Sequence, residues 1–371
     1  MILVVTTGEE AMNSYSQKLS ENINVPVIRL DIFQRLARYP NISQLPLRAI
    51  MLIRHDWQFI RRLNRLGDVV HLPSNSLGHY GNFLKVPFII TVHDLIRYFD
   101  LKGNRTLINR PNFRDRLRLN MDYKGIKKAA RIIAISQATK NDLIHYLDIP
   151  EEQISVVLLG VDHNVFHPVS HRVSNRPYVL FVGSEHPRKN LAQLLKAFSQ
   201  LKSEPEFKGL KLVKVGKAGS RQLGNFRKQT TEVINSLGLT KEVIFTDFVS
   251  ESELPAYYSG ATVFVFPSLY EGFGLPPLEA MACGCPVITS NTSSLPEVVG
   301  EAGIMVDPYD TDGLVKAMRQ VLTNNELRND MIRKGLEQAK RFSWGKTAEM
   351  TQEVYNKVAD EQRDRDQAGA P

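Results

Sequence analysis

The sequence predicts an α/β fold built twice, as two parallel-sheet domains in one chain. Three observations point to it. At 371 residues the chain is too long for one ordinary hydrophobic core. Continuous apolar runs of strand length alternate with helix-length patterns, as expected of parallel sheets covered by helices. The same rhythm then starts afresh beyond a polar, unpatterned link that begins at Gly160 and runs to residue 177.

In the first half, β-prone apolar runs predict strands over residues 2–6, 25–30, 69–72, 88–92, 131–135 and 154–159. Helical periodicity fills the intervals at 13–22, 57–66, 113–130 and 137–146. In the second half, strands are predicted at 178–182, 211–215, 243–248, 262–266, 287–289 and 304–306. Helices are predicted between them at 191–201, 224–237, 253–259, 278–283, 295–299 and 312–323. The helix at 191–201 carries Leu191, Leu194, Leu195, Phe198 and Leu201 on one stripe, with Asn190 at the N-cap position. Ser250 and Glu253 have the spacing of a capping box. Two closing helices are expected at 325–341 and 344–360, before a polar tail at 361–371 expected to be disordered. The resulting division is an N-terminal domain at 1–168, a C-terminal domain at 169–345 and a last helix at 346–360.

Composition narrows the functional classes. The 43% hydrophobic and 23% charged content is that of a soluble globular protein. No apolar run reaches the length of about 18 residues that a membrane span needs. The start, M-I-L-V-V-T-T-G-E-E, lacks the basic region of a signal peptide and reads as a first strand. Cys283 and Cys285 form neither a metal spacing nor a disulfide framework, and fit small buried thiols in a reducing cytoplasm. The net charge of +8 is concentrated: between Arg97 and Arg131, eleven Lys and Arg residues face three Asp. Such a stretch suits nucleic acid, anionic lipid or an anionic substrate, or is a solvated helix face. No nucleic-acid motif accompanies it, so nucleic acid is not an expected partner.

The stretch from Phe264 to Thr289 carries most of the chemistry. A β-prone run turns through Glu271-Gly272-Phe273-Gly274 into a short apolar helix that tolerates Pro276 and Pro277 in its first turn. A Gly-rich turn before a helix aims bare N–H groups and the positive dipole end at one spot, an anion site. Glu271 in the turn and Glu279 eight residues on are acceptors suited to sugar hydroxyls. The alternative is a packed β-turn-α unit with two solvated glutamates. Arg188 and Lys189 also fall just before a helix start, where the dipole disfavours cations, so a bound anion would explain them.

Residues 271–288, E-G-F-G-L-P-P-L-E-A-M-A-C-G-C-P-V-I, resemble the paired-glutamate motif of the family-4 retaining glycosyltransferases. The resemblance covers nearly all of the second domain. In the first it is limited to His93 and the strand rhythm. It implies the GT-B fold, two Rossmann-like domains facing across a cleft, with the last helix crossing back to the first. It implies retaining transfer of a hexose from a nucleotide-diphosphate sugar to an acceptor hydroxyl, with no metal and no other cofactor.

The resemblance also implies roles. Lys189 and the amides of Gly272, Phe273, Gly274 and Leu275 meet the diphosphate. Many members carry Arg after the strand-end glycine, Gly183; this chain has Ser184 there, and Arg188 is the substitute. Glu271 holds sugar hydroxyls and Glu279 the ribose. Phe248 and Val249 contact the base through their backbone, with core packing as the alternative. His93 meets the donor sugar, with Asp94 orienting it or capping the next turn. The turn Thr6-Thr7-Gly8-Glu9-Glu10 departs from the family's Gly-Gly loop, so no acceptor contact carries over. The variant G-S-x-x-P-R-K-N leans towards GDP-mannose. Lipid-linked or glycan acceptors would place the protein in the cytoplasm, peripheral at the inner membrane face, with Arg97–Arg131 towards anionic lipid. Two D-x-D triplets, Asp310–Asp312 and Asp364–Asp366, read as a helix cap and a tail feature, and no metal site is expected. A UDP-sugar transferase, a sugar-nucleotide epimerase of related fold and an inert sugar-nucleotide-binding partner remain as alternatives.

Overall fold

The computed structural model describes residues 1–7, 11–31, 45–103, 107–171, 173–174, 176–219 and 226–368. The turn residues 8–10, Arg105 and residues 369–371 of the expected tail lie outside them. The chain forms two compact units, one of residues 1–95, 111–158 and 344–371, the other of residues 96–110 and 159–343.

The first unit holds a six-stranded parallel sheet of β1 (Ile2–Thr7), β2 (Val27–Asp31), β3 (Val70–Leu72), β4 (Phe88–Val92), β5 (Arg131–Ala134) and β6 (Ile154–Val156). Their spatial order is β2-β1-β3-β4-β5-β6. All five residues of β4 are buried, which is why its sequence is an unbroken apolar run. The helices are α1 (Ala11–Asn22), α2 (Leu45–Leu66), α4 (Phe113–Ile126) and α5 (Gln137–Leu147), and between β4 and α4 comes α3 (Ile96–Lys102), which packs with the second unit. Helix α2 starts twelve residues before the expected 57. Helix α3 was not expected at all.

The carboxyl half of α4 sits on a short 3-10 segment, Asn75–Asn82, with backbone against backbone. A Cβ on Gly125 would stand 1.8 Å from the Gly78 carbonyl oxygen, and one on Gly78 would stand 2.4 Å from that of Asp122. Buried Asp122 accepts from the His79 backbone N–H at 2.9 Å and contacts His79 Nδ1 at 2.7 Å. The amino half of α4 is solvent-facing: Phe113 is 82% and Leu117 58% exposed. The apolar residues there point outward rather than into the core.

The second unit repeats the design with β7 (Tyr178–Val182), β8 (Lys211–Val215), β9 (Val243–Thr246), β10 (Val263–Phe266), β11 (Val287–Ser290) and β12 (Ile304–Val306). All pairings are parallel, in the order β12-β11-β10-β7-β8-β9. Strand β9 stops at Thr246, two residues short of the expected end, because its only neighbour β8 ends opposite it at Val215. Its helices are α6 (Leu191–Lys202), α7 (Phe226–Ser236), α8 (Leu254–Gly260), α9 (Leu275–Ala282), α10 (Leu295–Val299), α11 (Thr311–Thr323) and α12 (Asn325–Ala339). The five stripe residues of α6 are all buried. Asn190 occupies the N-cap position but does not cap: its φ is 55°, and its amide donates to the carbonyls of Pro267 (3.0 Å) and Pro308 (2.8 Å). It spends its side chain tying β7's loop to the ends of β10 and β12. Asp310 is a true cap, accepting from the Gly313 N–H at 2.8 Å.

The closing helix α13 (Trp344–Ala368) belongs to the first unit. It continues through residues 361–368, which were expected to be disordered. Its Tyr355 hydroxyl lies 2.7 Å from His71 Nδ1, and His71 Nε2 lies 2.8 Å from Thr91 Oγ1, which is 3.1 Å from the Tyr15 hydroxyl. All four side chains are buried, so this chain of bonds satisfies polar groups that β3, β4, α1 and α13 would otherwise strand.

Candidate active site

Strands β7 and β10 are neighbours, with Val179 opposite Val263 and Leu180 opposite Phe264. Parallel pairing brings their carboxyl ends side by side, and with them the loops 183–190 and 267–274. Ligands of open α/β sheets bind at such ends. There the carboxylate of Glu271 lies between two cations: Oε2 is 2.8 Å from Arg188 Nη1 and Oε1 is 2.7 Å from Lys189 Nζ. Burial alone would raise the Glu271 carboxyl, but the charges of Arg188 and Lys189 outweigh it and hold it at about 2. Burial, and then the neighbouring Arg188, bring the Lys189 ammonium down to about 8. Its Nζ also stands 4.5 Å over the Phe266 ring. Two cations against one carboxylate leave the cluster net positive and fixed in place, which suits a dianion better than a neutral ligand.

The turn after β10 is held by two serines that the sequence did not single out. Ser293 Oγ accepts from the Glu271 N–H at 2.9 Å, and Ser294 Oγ donates to the carbonyls of Glu271 (2.9 Å) and Phe273 (2.6 Å). Their only signal was a polar N-T-S-S run between a strand and a helix. Gly274 caps α9 with φ 116°, and a Cβ there would meet Leu295 Cδ2 at 2.9 Å, so a side chain fits neither conformation nor space. Gly272, Phe273 and Leu275 surround it at the start of α9. Glu279 stands on α9, near enough to Lys189 for the two charges to interact. It accepts from the Tyr258 hydroxyl at 2.8 Å, and burial raises its carboxyl to about 7.

Gly183 ends β7 and donates its N–H to Val215 at 2.9 Å. Ser184 Oγ lies 3.1 Å from His186 Nδ1. Beyond β9, Phe248 is 68% exposed under Lys217 Nζ at 5.1 Å, which removes the core-packing alternative for it, and Val249 is half-buried. A second ion network lies at the ends of β7, β8 and β9 and was missed. Glu185 Oε1 is 3.0 Å from Lys214 Nζ and 2.8 Å from Arg227, which also reaches Asp247 at 2.6 Å. Glu185 and Lys214 are both fully buried in their side chains, so Lys214 depends on Glu185, and Glu185 on Lys214 and Arg227 together.

In the first unit, His93 follows β4 and is buried. Its Nε2 donates to the Pro73 carbonyl at 2.8 Å, and burial lowers its pKa to about 4, so the ring is neutral with Nδ1 unprotonated. The Pro73 carbonyl, rather than Asp94, holds that nitrogen. The Tyr15 ring stands edge-on to His93 with centroids 5.0 Å apart.

Comparison with known proteins agrees with this architecture. Residues 162–338 match the model of the glycosyl transferases group 1, and residues 14–165 match that of Glycosyltransferase Family 4. The serotype-specific mannosyltransferase WbdA of Escherichia coli is 30% identical over 318 residues, 81% of this chain and 38% of that protein. This chain therefore spans well under half the length of that relative. A D-inositol 3-phosphate glycosyltransferase of Corynebacterium efficiens is 30% identical over 320 residues, 81% of this chain and 74% of its own. Among solved structures, the sucrose-phosphate synthase of Thermosynechococcus elongatus superposes with a TM-score of 0.76 at 23% identity, over 97% of this chain and 99% of its own. Anabaena HepE, solved with UDP and glucose, gives 0.72 at 17% identity over 96% and 99%. Two parallel six-stranded units, the two family models and these relatives lead to one conclusion: the chain belongs to the glycosyltransferases of the family-4, group 1 type, with the GT-B fold.

Proposed function

We propose that the protein is a retaining hexosyltransferase that moves mannose from GDP-mannose to a hydroxyl of a glycan or lipid-linked acceptor. The observation that carries this reading is the Arg188–Glu271–Lys189 cluster beside the amides at 272–275. Fixed cations and backbone donors stabilise charge where it develops without reorganising. In the proposed step the bond between the sugar anomeric carbon and the diphosphate breaks. The acceptor oxygen attacks from the same face, and its proton passes to the departing phosphate oxygen. Arg188 and Lys189 take the diphosphate, Glu271 the sugar hydroxyls and Glu279 the ribose. The backbone at Phe248 and Val249 takes the base, Gly183 and Ser184 border the phosphates, and neutral His93 meets the transferred sugar. No metal has a role, because the cations supply the countercharge and Asp310 is committed to capping α11.

Mannose is favoured by the G-S-x-x-P-R-K-N loop and by mannosyltransferase relatives at about 30% identity. The exposed, basic amino half of α4 supports a peripheral position on an anionic membrane, at its cytoplasmic face. The test is a panel of GDP- and UDP-sugars, each with and without candidate acceptors. Acceptor-dependent release of GDP from GDP-mannose with retained anomeric configuration is expected. Turnover of UDP-sugars alone would move the donor assignment, acceptor-free isomerisation would favour an epimerase, and binding without turnover would favour an inert partner.

A further inference from the structure

Residues 96–110 lie in sequence between β4 and α4 of the first unit, yet they pack with the second. The described part, residues 96–103 and 107–110, is closed on itself by one buried carboxylate. Asp100, 2% exposed, accepts from the backbone N–H groups of Leu107 (2.7 Å), Ile108 (3.3 Å) and Asn109 (3.4 Å). It also accepts from Arg97 Nη1 at 2.6 Å, and that nitrogen donates to the Asn109 carbonyl at 3.0 Å and side-chain oxygen at 2.8 Å. A carboxylate this buried is stable only with such a full set of donors.

The closed strap reaches the cation cluster at two points. The Leu107 carbonyl accepts the Arg188 N–H at 3.1 Å. The Phe99 ring stands edge-on to Tyr270, centroids 5.4 Å apart and planes at 74°. Tyr270 precedes Glu271, and its carbonyl accepts from Arg188 Nη1 at 3.2 Å. The strap therefore touches the backbone of Arg188 directly, and the residue that holds its guanidinium through one aromatic contact.

We infer that Asp100 is a positioning residue. By closing the strap it presents the Leu107 carbonyl and the Phe99 ring so that Arg188 is aimed at the anion site. This rests on the reading of Arg188 and Lys189 as the diphosphate cluster. The strap departs in sequence from the end of β4, just after His93, and returns at α4, so the donor site is linked through the chain to elements of the first unit.

The experiment uses the full chain and three variants, Asp100→Asn, Phe99→Leu and Lys189→Ala. Amide hydrogen exchange is followed by mass spectrometry, and binding of GDP and UDP by calorimetry. Asp100→Asn is expected to raise exchange at Arg188 about tenfold and to weaken nucleoside diphosphate binding by about three- to tenfold, the scale of one lost neutral hydrogen bond. Exchange in β7, β10 and α6 should not change. Phe99→Leu should weaken binding in the same direction by less. Unchanged exchange at Arg188, or raised exchange with unchanged affinity while Lys189→Ala loses binding, overturns the positioning role. A rise in exchange across the whole second unit in both strap variants would make the strap a stabiliser only, and also overturns it. If Lys189→Ala itself binds both nucleotides as the wild type does, the diphosphate reading fails, separately from the strap.

Discussion

The Tyr258 hydroxyl donates to Glu279 across 2.8 Å, and Glu279 is a carboxyl raised to about 7 in a half-buried setting. Its folded pKa lies above the unfolded value, so the native state loses stability as pH rises from about 4.5 through 7. Glu279→Gln should therefore melt higher than wild type at pH 8 and equally at pH 4, read by calorimetry. Donor binding should show the opposite dependence. The ribose needs the carboxylate, so wild-type affinity should tighten between pH 6 and 8 by up to about tenfold, or about 1.4 kcal/mol, as the ionised fraction of a group titrating at about 7 rises. A Glu279→Gln enzyme with wild-type affinity at pH 8 would remove the ribose role.

Lys189→Ala should cut turnover by about 100-fold or more, as loss of fixed charge at a developing anion does elsewhere. The variant should still fold, since Arg188 stays with Glu271. The pH dependence of stability should change as well. Glu271 is held at about 2, so its contribution is present above the unfolded value of about 4.5 and is lost as pH falls through 2. Without Lys189 the folded value rises, so that acid-side loss should be smaller and should be complete at a higher pH, which urea titrations between pH 2 and 5 would reveal. Full activity in Lys189→Ala would dismiss the diphosphate assignment.

Turnover should persist in excess EDTA. Asp310, the first acid of the D-x-D triplet that follows β12, spends its carboxylate on the Gly313 N–H. Activity lost to chelator and restored by manganese or magnesium would contradict the proposed mechanism.

Vesicle binding should depend on the exposed basic residues of α4 and on Lys127 just after it. Near an anionic surface each Lys or Arg contributes about 1 kcal/mol, within a Debye length of about 8 Å at physiological salt. Charge reversal at Arg114, Arg118 and Lys127 should abolish salt-sensitive pelleting with anionic vesicles and leave donor affinity intact. Phe113→Ala should weaken pelleting without changing its salt dependence. Equal pelleting with neutral vesicles would reject the membrane reading.

The strand pattern was the most legible level of this sequence. The expected bounds of β4, β7 and β12 coincide with the observed ones, because each is an apolar run cut off sharply by polar or turn-forming residues, and those of β8 coincide although Lys211 and Lys214 interrupt its apolar residues. The edge strands β6 and β9 were over-extended, since each ends where its neighbour in the sheet ends, at Ala134 and Val215. What the sequence hid was adjacency. The bond between Lys189 and Glu271 spans 82 positions and exists only because β10 lies beside β7. Asn190 looked like a cap by spacing, yet its positive φ turns its amide to two distant carbonyls. Helix α3 and Asp100 were invisible for a related reason: the segment gains its partners from the second unit, and nothing local announces them.

The bond between His71 and Tyr355 has a consequence for the order of assembly during translation. The first unit needs Trp344–Ala368 as its last part, while every residue of the second unit has by then been made. On the ribosome the amino-terminal sheet must wait, with His71 and Thr91 lacking Tyr355, while the later half reaches its final form. The usual sequence, in which domains complete from the amino end, is reversed here, and chains stalled before residue 344 should be recognised by chaperones through the first unit rather than the second.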